Sequence, residues 1–501
     1  MRLMQVFRWK VILIGLTAFL WNVAPIAGQR SVHGAEPWIG FSHDAGNGVG
    51  YQDSFSTFQG FLPIPLEDGY SLLFADLNFR LNNIGDTGGN VGIGFRRYNE
   101  LFNRTFGGYL YFDQSDTPSN EFSQLSVGLE TLGEHVDFRT NVYLPSIFND
   151  GPELTNKPGR FRSNFFFVPT ETAMTGIDME IGGPVPLIPT SSELKVFGGW
   201  YFFDSKRRKK FYGWKARIEA RITKTMAMDL SVQHDEEFET TVNFGVFIQF
   251  PFSKERGYRK VEERLTDPVE KLRNVVLLQQ DEVTRDPLTG EPILFLHVAP
   301  NGNSDGSFED PYATLAEAFA DPRSGQGDVV IYDRTSNTHN GNLTLADRTQ
   351  LLSSQPLQFL DTQFGSIQIP LSGAGGTLPT IVGDVTLSDV TKLSGFSVQG
   401  QVIANNLNTF IVSDNTISNP AGDGLTVQNG SGFILSNNFS GSAGNGLAIQ
   451  GTSFTGNVLG NRFLNNTGQG ADISVASFSG KIVSNTADSN TLAGFRITST
   501  T

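Results

Sequence analysis

The sequence predicts an all-β protein, with a transmembrane antiparallel β-barrel in its first half and a parallel β-helix in its second. The first observation is a period-two alternation of apolar and polar residues from Trp38 to Phe252, which is typical of strands. The second is a repeat of 22 to 24 residues near the C-terminus, which indicates stacked coils. The chain also has no cysteine, which does not bear on the fold class but excludes disulfides, zinc-thiolate sites and iron–sulfur clusters.

Composition narrows the function classes. The chain has 501 residues and a formal net charge of −14, which argues against nucleic-acid binding. Phenylalanine accounts for 41 residues, more than a soluble core of this size needs, and indicates an aromatic surface facing lipid.

The N-terminus is predicted to be a secretory signal peptide covering residues 1–34. Basic residues up to Lys10 precede a short apolar run, Val11–Trp21, and small residues follow it. The run is short for a membrane-spanning helix. We therefore expect an exported protein.

Residues 38–252 are interpreted as a membrane barrel rather than a soluble β-sandwich. A soluble barrel places its apolar face inside, whereas a membrane barrel turns that face to lipid and lines a water-filled lumen with polar residues. Full charges of both signs recur opposite the apolar face in strand after strand, which favours the membrane barrel. Eleven or twelve strand-like runs are present, and an even number returns the chain to its starting side, so twelve strands are predicted. The residues predicted to face the lumen are Asp76, Arg80, Asp137, Arg139, Lys215, Arg217, Glu219 and Arg221.

The last predicted barrel strand, "NFGVFIQFPF", ends in an aromatic residue at Phe252. Its lipid-facing residues are predicted to be Phe244, Val246, Ile248, Phe250 and Phe252. Asn243, Gly245 and Gln249 are expected to face the lumen.

Several motifs in this half occur in an order that resembles the barrel of intimin- and invasin-like proteins, the inverse autotransporters. These motifs are "GIGFRRY", "GGYLYFD", "QLSVGLETLGEHVDFRTNVYLP", "GIDMEIGGPVP" and "GWKARIEARI". The resemblance implies an outer-membrane barrel that precedes its passenger in the chain. It also implies that the strand ending at Phe252 is recognised by the barrel-assembly machinery. Almost nothing separates the predicted signal peptide from Trp38, which puts a peptidoglycan-binding module of the kind some relatives carry in doubt.

Residues 253–293 are predicted to be a linker with dense charges of both signs. Asp267 and Pro268 predict the start of a short helix over residues 268–274, and a strand is expected from Val275 to Val283. An ordinary solvated linker is one interpretation. The other is a segment that threads the barrel lumen, which the family resemblance implies.

Residues 294–501 are predicted to form a β-helix passenger. Apolar positions repeat in step with the asparagines and would stack into a continuous interior. The asparagines are expected at turns, where they would adopt left-handed geometry and form amide ladders along the axis. The stretch His297–Ala320 resembles the start of right-handed β-helices of the pectate-lyase type, which implies that a strand and a short helix cap the first coil. The ladder residues are Asn415, Asn437, Asn461 and Asn485.

No catalytic, cofactor-binding or metal-binding residues are assigned. Polysaccharide lyases and hydrolases need convergent carboxylates, alone or with basic residues. Here only Asp472 and Arg496 occupy equivalent positions of adjacent repeats. The other acidic candidates are scattered: Asp384, Asp389, Asp414, Asp423 and Asp488.

The expected function is to anchor, export and display the passenger at the cell surface, for adhesion or surface recognition. The alternative is a displayed carbohydrate-active enzyme, and a third possibility is a plain porin with a tail. The expected partners are outer-membrane lipid, the barrel-assembly machinery and a surface ligand, either a carbohydrate or a protein of a host or neighbouring cell. The predicted location is the outer membrane.

Overall fold

The computed structural model describes residues 35–149, 151–185, 193–205, 209–302 and 304–499. The predicted signal peptide lies outside these residues. The chain divides into two compact units. The first contains the described residues up to Pro152 and Glu171–Leu278, and the second contains Glu153–Thr170 and the residues from Gln279 onward.

Twelve antiparallel strands of the first unit close into a barrel, because the first strand pairs with both the second and the last. The predicted number of strands is confirmed. In chain order the strands up to Phe250 are β1 (Trp38–Gly46), β2 (Phe55–Pro65), β3 (Ser71–Asn82), β4 (Thr87–Asn99), β5 (Arg104–Asp116), β6 (Glu121–Gly133), β7 (Asp137–Leu144), β8 (Glu153–Leu154), β9 (Arg160–Arg162), β10 (Phe165–Ala173), β11 (Thr175–Pro184), β12 (Glu193–Asp204), β13 (Lys210–Thr223), β14 (Met226–Asp235) and β15 (Glu239–Phe250). All of them except β8, β9 and β10 belong to the barrel.

The two faces of each barrel strand differ as a membrane barrel requires. On β13, Trp214 and Ile218 are 48% and 47% exposed, whereas Arg221 is 5% exposed. Apolar side chains therefore point outward, where lipid covers them, and charged side chains point inward. None of the helices among the described residues is long and apolar enough to cross a membrane.

The predicted helix over residues 268–274 is wrong. The chain forms 3₁₀ helices at Pro145–Ile147 and Val261–Thr266, and residues 267–276 contain no helix. Asp267 is extended, with ψ of 144°, as a residue before a helix would be, but no helical turn follows it. The backbone oxygen of Glu270 accepts hydrogen bonds from Tyr109 and Asn141, at 3.4 and 3.3 Å. Barrel side chains thus take up a carbonyl that a helix would pair internally.

The second unit is a parallel β-helix that begins with a mixed sheet. Its short helix α1 (Leu315–Ala320) has a capping box, in which Thr314 and Glu317 each bond the other's backbone N–H. The strands from Leu277 onward are β16 (Leu277–Val283), β17 (Leu294–Val298), β18 (Val329–Asp333), β19 (Thr338–Asn340), β20 (Leu343–Thr344), β21 (Thr349–Ser353), β22 (Phe359–Thr362), β23 (Gly365–Gln368), β24 (Thr380–Val382), β25 (Val385–Thr386), β26 (Thr391–Ser394), β27 (Ser397–Gln399), β28 (Val402–Leu407), β29 (Phe410–Ser413), β30 (Thr416–Ser418), β31 (Leu425–Leu435), β32 (Asn438–Ser440), β33 (Leu447–Leu459), β34 (Arg462–Leu464), β35 (Ala471–Val483), β36 (Thr486–Asp488) and β37 (Phe495–Thr498).

The repeat predicted from the sequence sets the register of the coils. β31, β33 and β35 pair in parallel, so that Ile449 lies opposite both Val427 and Ile473, and all three are fully buried. Gly480 fits this stacking because a Cβ there would lie 1.7 Å from the backbone oxygen of Gly456 on the preceding coil. The interior is one continuous apolar stack from Leu296 to Val475.

A buried histidine lies near the start of this unit. His297 is fully buried, and the rings of Phe161 and Phe295 lie 4.5 and 5.8 Å from its ring. Neither of its ring nitrogens has a hydrogen-bond partner among the described residues. Burial, with a contribution from the positive charge of Arg334, lowers the pKa of His297 to about 3.

We expect acid to destabilise the β-helix through His297. The neutral ring is favoured in the folded state, so its contribution is complete above the unfolded pKa of about 6.5 and is lost as pH falls toward 3. The loss is about 2 kcal/mol at pH 5, at roughly 1.4 kcal/mol per pH unit. His297→Phe should remove this component in urea unfolding of the purified full chain at pH 7.5 and pH 5. Tyr332→Phe is the control, since it removes the bond to the Pro370 carbonyl and should cost the same at both pH values. An unchanged pH difference in His297→Phe would contradict this assignment.

Candidate functional site

The eight predicted lumen-facing charges lie on the inner face of the barrel. Asp76 is 3% exposed and accepts hydrogen bonds from Gln59 and Tyr111, the latter at 2.7 Å. Arg80 donates to Ser115 across the lumen wall at 2.9 Å. The remaining six, on β7 and β13, are Asp137, Arg139, Lys215, Arg217, Glu219 and Arg221.

The charges of β7 and β13 meet at a carboxylate that sequence analysis did not single out. Glu180 on β11 lies between these strands and pairs with Arg139 at 3.2 Å and Arg217 at 2.7 Å. Lys215 completes the cluster at 3.5 Å from Glu180. Each buried charge thus has an opposite partner, which is the condition for holding ions away from bulk water. The signal was present in the sequence as the acidic residue within the alternating run of β11.

A segment of the same chain fills much of the lumen. We call residues 261–276 the lumen segment. Arg264 forms two parallel hydrogen bonds to Asp137, at 2.8 and 2.7 Å, and also pairs with Asp267. Lys271 pairs with Asp113 at 2.7 Å, and both side chains are almost fully buried. Charges that the sequence places in a linker therefore complete the ion pairs of the barrel wall.

The lumen segment runs the full length of the barrel. The near mouth carries the turn that precedes β5, and the far mouth carries the turn that follows it. Thr105 at the start of β5 donates to the Val261 carbonyl, Tyr109 in its middle bonds Glu270, and Ser115 near its end accepts from the Val275 N–H at 3.1 Å. The contacts advance along β5 in chain order, so the segment passes from the near mouth to the far mouth.

Free space remains beside the lumen segment, including a cavity of about 370 Å³ lined by Val261 and Arg264 at the near mouth. A cavity of about 170 Å³ lies between it and the wall, lined by charged residues that include Asp44, Asp229 and Glu270.

The last barrel strand has the predicted alternation. Phe244 and Phe250 on β15 and Phe252 beyond it are 46%, 53% and 47% exposed, whereas Asn243 is buried. Val246 and Ile248 are partly exposed. The role of these residues in barrel assembly stays a prediction.

The four ladder asparagines lie side by side on successive coils. The Nδ2 of each of the first three donates to the Oδ1 of the next asparagine: Asn415 to Asn437 at 3.1 Å, Asn437 to Asn461 at 3.0 Å and Asn461 to Asn485 at 3.0 Å. Each Oδ1 also accepts the backbone N–H of the ladder residue before it, as from Asn415 to Asn437 at 3.1 Å. The expectation that these asparagines adopt left-handed geometry is wrong, because the residue before each one takes the positive φ. These residues are Asp414, Ser436, Gly460 and Ser484.

A second ladder was missed by sequence reasoning. Asn466 donates to Asn490 at 2.9 Å, and the backbone N–H of Ser442 donates to Asn466 at 3.0 Å. Its signal was the same spacing of 24 residues between Asn466 and Asn490. Together the two ladders line two corners of the β-helix with paired amides.

The acidic residues of the β-helix are used as caps between coils. Asp384 accepts the Gln401 N–H at 2.8 Å, Asp389 the Asn408 N–H at 2.6 Å, and Asp423 the Asn445 N–H at 2.6 Å. Asp472 forms an ion pair with Arg496 in register on the next coil, as their spacing predicts. Asp384 and Asp389 flank β25 on one coil, and Asp423 and Asp472 lie on later coils. Among the described residues, no three acidic or histidine side chains come close enough together to hold a metal ion.

Comparisons with known proteins agree with this architecture. Residues 27–255 match the family described as "Inverse autotransporter, beta-domain", and residues 372–501 match "Right handed beta helix region". No curated protein matches the sequence.

Several solved structures are similar to part of the chain. The β-domain of the Bordetella autotransporter BrkA is 13% identical, with a TM-score of 0.25, over 44% of this chain and 98% of that one. The KdgM porin is 8% identical, with a TM-score of 0.27, over 43% and 99%. A membrane protein from a study of in-meso crystallization is 16% identical, with a TM-score of 0.40, over 49% and 99%.

We expect Arg264→Ala to release the lumen segment. The change leaves the buried carboxylates of Asp137 and Asp267 short of a partner, which costs about 3–5 kcal/mol. The ion conductance of the purified full-length variant in a planar bilayer should therefore be larger than that of the unaltered protein. Lys260→Ala is the control, because the Lys260 side chain is 71% exposed and its loss should leave conductance unchanged. Equal conductance in both variants would argue against this docking.

We expect Asn437→Asp to destabilise the β-helix by about 2–4 kcal/mol. The new carboxylate has no N–H to donate and faces the Val412 carbonyl and the Oδ1 of Asn461, which now lie 2.8 and 3.0 Å from Nδ2. Urea unfolding of the full chain measures the loss. Asn457→Asp is the matched control, since Asn457 uses its Oδ1 to accept the Lys481 N–H and an aspartate keeps that bond. Similar losses in both variants would show that the ladder contributes nothing specific.

Proposed function

Since residues 27–255 are an inverse autotransporter β-domain and residues 372–501 a right-handed β-helix region, we propose that the protein exports its β-helix through its own barrel and uses it for adhesion or surface recognition. The barrel lies in the outer membrane, with the C-terminal domain at the cell surface. Beyond this location, we propose the export through the barrel and the role in adhesion or surface recognition. The outward path of the lumen segment along β5 carries the proposal.

The lumen supports export of an unfolded passenger. The barrel is closed, and a single pass of the same chain, the lumen segment, runs through its interior. The passenger follows the lumen segment in the chain, and in this proposal it passes through the barrel as unfolded chain and folds outside. The absence of cysteine agrees with this route, since no disulfide would obstruct the pore. Once passage ends, the ion pairs of Arg264 and Lys271 hold the last segment in place and anchor the passenger.

Assembly of the barrel precedes this export in the proposed sequence of events. The exposed Phe250 ends the last barrel strand, and the exposed Phe252 lies just beyond it, in the middle of the chain. We assign them to recognition by the barrel-assembly machinery, which then inserts the barrel into outer-membrane lipid before the passenger crosses.

The outer face of the β-helix suits recognition. Gln428, Gln450 and Ser474 lie in register on three successive coils, with the two glutamines exposed. Neighbouring strands lie about 4.8 Å apart, so these side chains form a regular polar column. A column of this kind fits an extended ligand with repeating hydrogen-bonding groups, such as a polysaccharide or an extended protein segment of a host or neighbouring cell.

Display is tested by inserting a site for a specific protease at two matched positions of the full chain. Leu288, in the second unit, is 85% exposed, and Leu101, in the near-mouth turn before β5, is 86% exposed. Protease added to intact cells should cut at Leu288 and leave Leu101 uncut. Protection of both sites, with cleavage after the outer membrane is opened, would defeat display.

Adhesion is tested with cells that carry the full chain. Cells should be retained on at least one surface of a panel of acidic polysaccharides and cell-surface proteins, and Gln428→Ala with Gln450→Ala should reduce retention if the polar column binds. Release of sugar fragments would indicate instead that the passenger is a carbohydrate-active enzyme and not an adhesin. No retention on any surface would count against recognition.

A further inference from the structure

One loop of the barrel sequence belongs to the β-helix unit. Residues 153–170, which we call the loop hairpin, lie in the chain between β7 and β11 of the barrel. They nevertheless form a compact unit with the residues from Gln279 onward. The loop hairpin contains β8, β9 and the first part of β10, and β10 pairs with both β8 and β9.

The backbone of the loop hairpin extends the first sheet of the β-helix. β10 lies between β16 and β17 in the strand order, which continues into the parallel strands β18, β21 and β26. The Asn164 carbonyl accepts the Phe295 N–H at 2.8 Å, and the Phe166 carbonyl accepts the Thr284 N–H at 2.9 Å. The first strands of the passenger therefore depend on a strand from the loop hairpin for their pairing.

Side chains of the loop hairpin also complete an apolar core. Phe161, Phe166 and Val168 are 8%, 0% and 2% exposed. They pack in one cluster with passenger residues that include Phe295 and Tyr332. A core of this size cannot form from the passenger residues alone without leaving its aromatic rings in water.

Polar contacts fix the position of the loop hairpin. The Asn164 Nδ2 donates to the carbonyls of Phe295 and Gly306, both at 2.9 Å. Arg160 and Arg162 pair with Asp281, and these pairs are solvent-exposed and of small energetic weight. The buried amide therefore contributes more to the register than the surface ions do.

Folding order gives these contacts a consequence. Parallel β-coils form slowly. Each strand pairing closes a loop of chain, and the conformational entropy lost in closing it is offset only after the strands have paired. A solenoid also needs a cap on its terminal coil. The loop hairpin precedes the passenger in the chain, and it is tethered to the barrel at both ends. It is therefore present when the first passenger residues, from Gln279 onward, leave the far mouth.

We propose that the loop hairpin is a folding template on which the first sheet of the passenger forms, so that the β-helix nucleates at its N-terminal end and grows coil by coil. This proposal rests on the proposed export of the unfolded passenger. The partner it recognises is the emerging segment of the same chain, residues 279–298. Strand addition to the free edge of β10 and burial of Phe295 against Phe161 drive the recognition, with the two rings 4.9 Å apart.

Cross-linking during export tests the order of these events. The chain has no cysteine, so an engineered pair is unique. Phe165→Cys with Leu294→Cys joins directly opposed residues of β10 and β17, and Ser453→Cys with Ser477→Cys joins opposed residues of two late coils. Both pairs are placed in the full chain, in cells without periplasmic disulfide formation, and oxidant is added outside at intervals after a pulse of synthesis.

The template model expects the Phe165–Leu294 pair to cross-link before the Ser453–Ser477 pair. The reverse order, or simultaneous cross-linking, would overturn it and make the loop hairpin a lid that docks late. Failure of export itself is distinguished by the Leu288 protease site, which then stays protected in intact cells.

A variant measures the size of the effect. Phe166→Asp should slow the appearance of protease-resistant β-helix by about tenfold or more, while heat-dependent mobility of the barrel on a gel stays unchanged. The matched control is Phe463→Asp, a fully buried residue of a late coil. It should reduce final protease resistance and leave the early Phe165–Leu294 cross-link at its normal time. Loss of that early cross-link in Phe463→Asp, or normal folding speed in Phe166→Asp, would contradict a template.

Discussion

The structure depends on one constraint: charges and backbone groups that are buried inside the barrel need partners to be stable there. Carboxylates such as Asp137 and Asp113 stand on the inner wall, away from bulk water. The lumen segment supplies Arg264 and Lys271 to them, and barrel side chains pair its backbone carbonyls in return. The wall and the segment are therefore complementary in charge. Leu265 and Val269 of the segment also pack into an apolar cluster with barrel side chains, beside these ion pairs.

The β-helix satisfies a related constraint by repetition. Its interior is apolar, and the corners, where backbone groups turn away from the sheets, are closed by amide ladders such as Asn437 to Asn461. Each coil presents an unsatisfied face to the next and so requires a neighbour. The first coil lacks a preceding coil, and the loop hairpin around Phe166 takes that place. In both units, one segment of the chain supplies bonding partners for groups of another segment that would otherwise be unpaired.

Features set by a regular spacing of residues could be predicted from the sequence, whereas features set by contacts between distant residues could not. The strand alternation and the repeat were predicted because each recurs at a fixed spacing along the sequence, of two residues and of 22 to 24 residues. The helix over residues 268–274 was wrong because its capping pattern is local, whereas Arg96 and Tyr109 hold that backbone extended from more than 150 positions away. The inner charges were found by alternation, but Glu180 and its three partners became a cluster only when β7, β11 and β13 were brought together.

The sequence by itself determined the two architectures, the inward and outward faces of the barrel and the stacking of the asparagines, because periods of two and of about 24 residues are written directly in residue order. Only the tertiary structure decided the path of the lumen segment and the place of residues 153–170. Both depend on hydrogen bonds and ring contacts between residues far apart in the chain, such as Asn164 with Phe295. Such contacts impose no spacing that a single sequence could reveal.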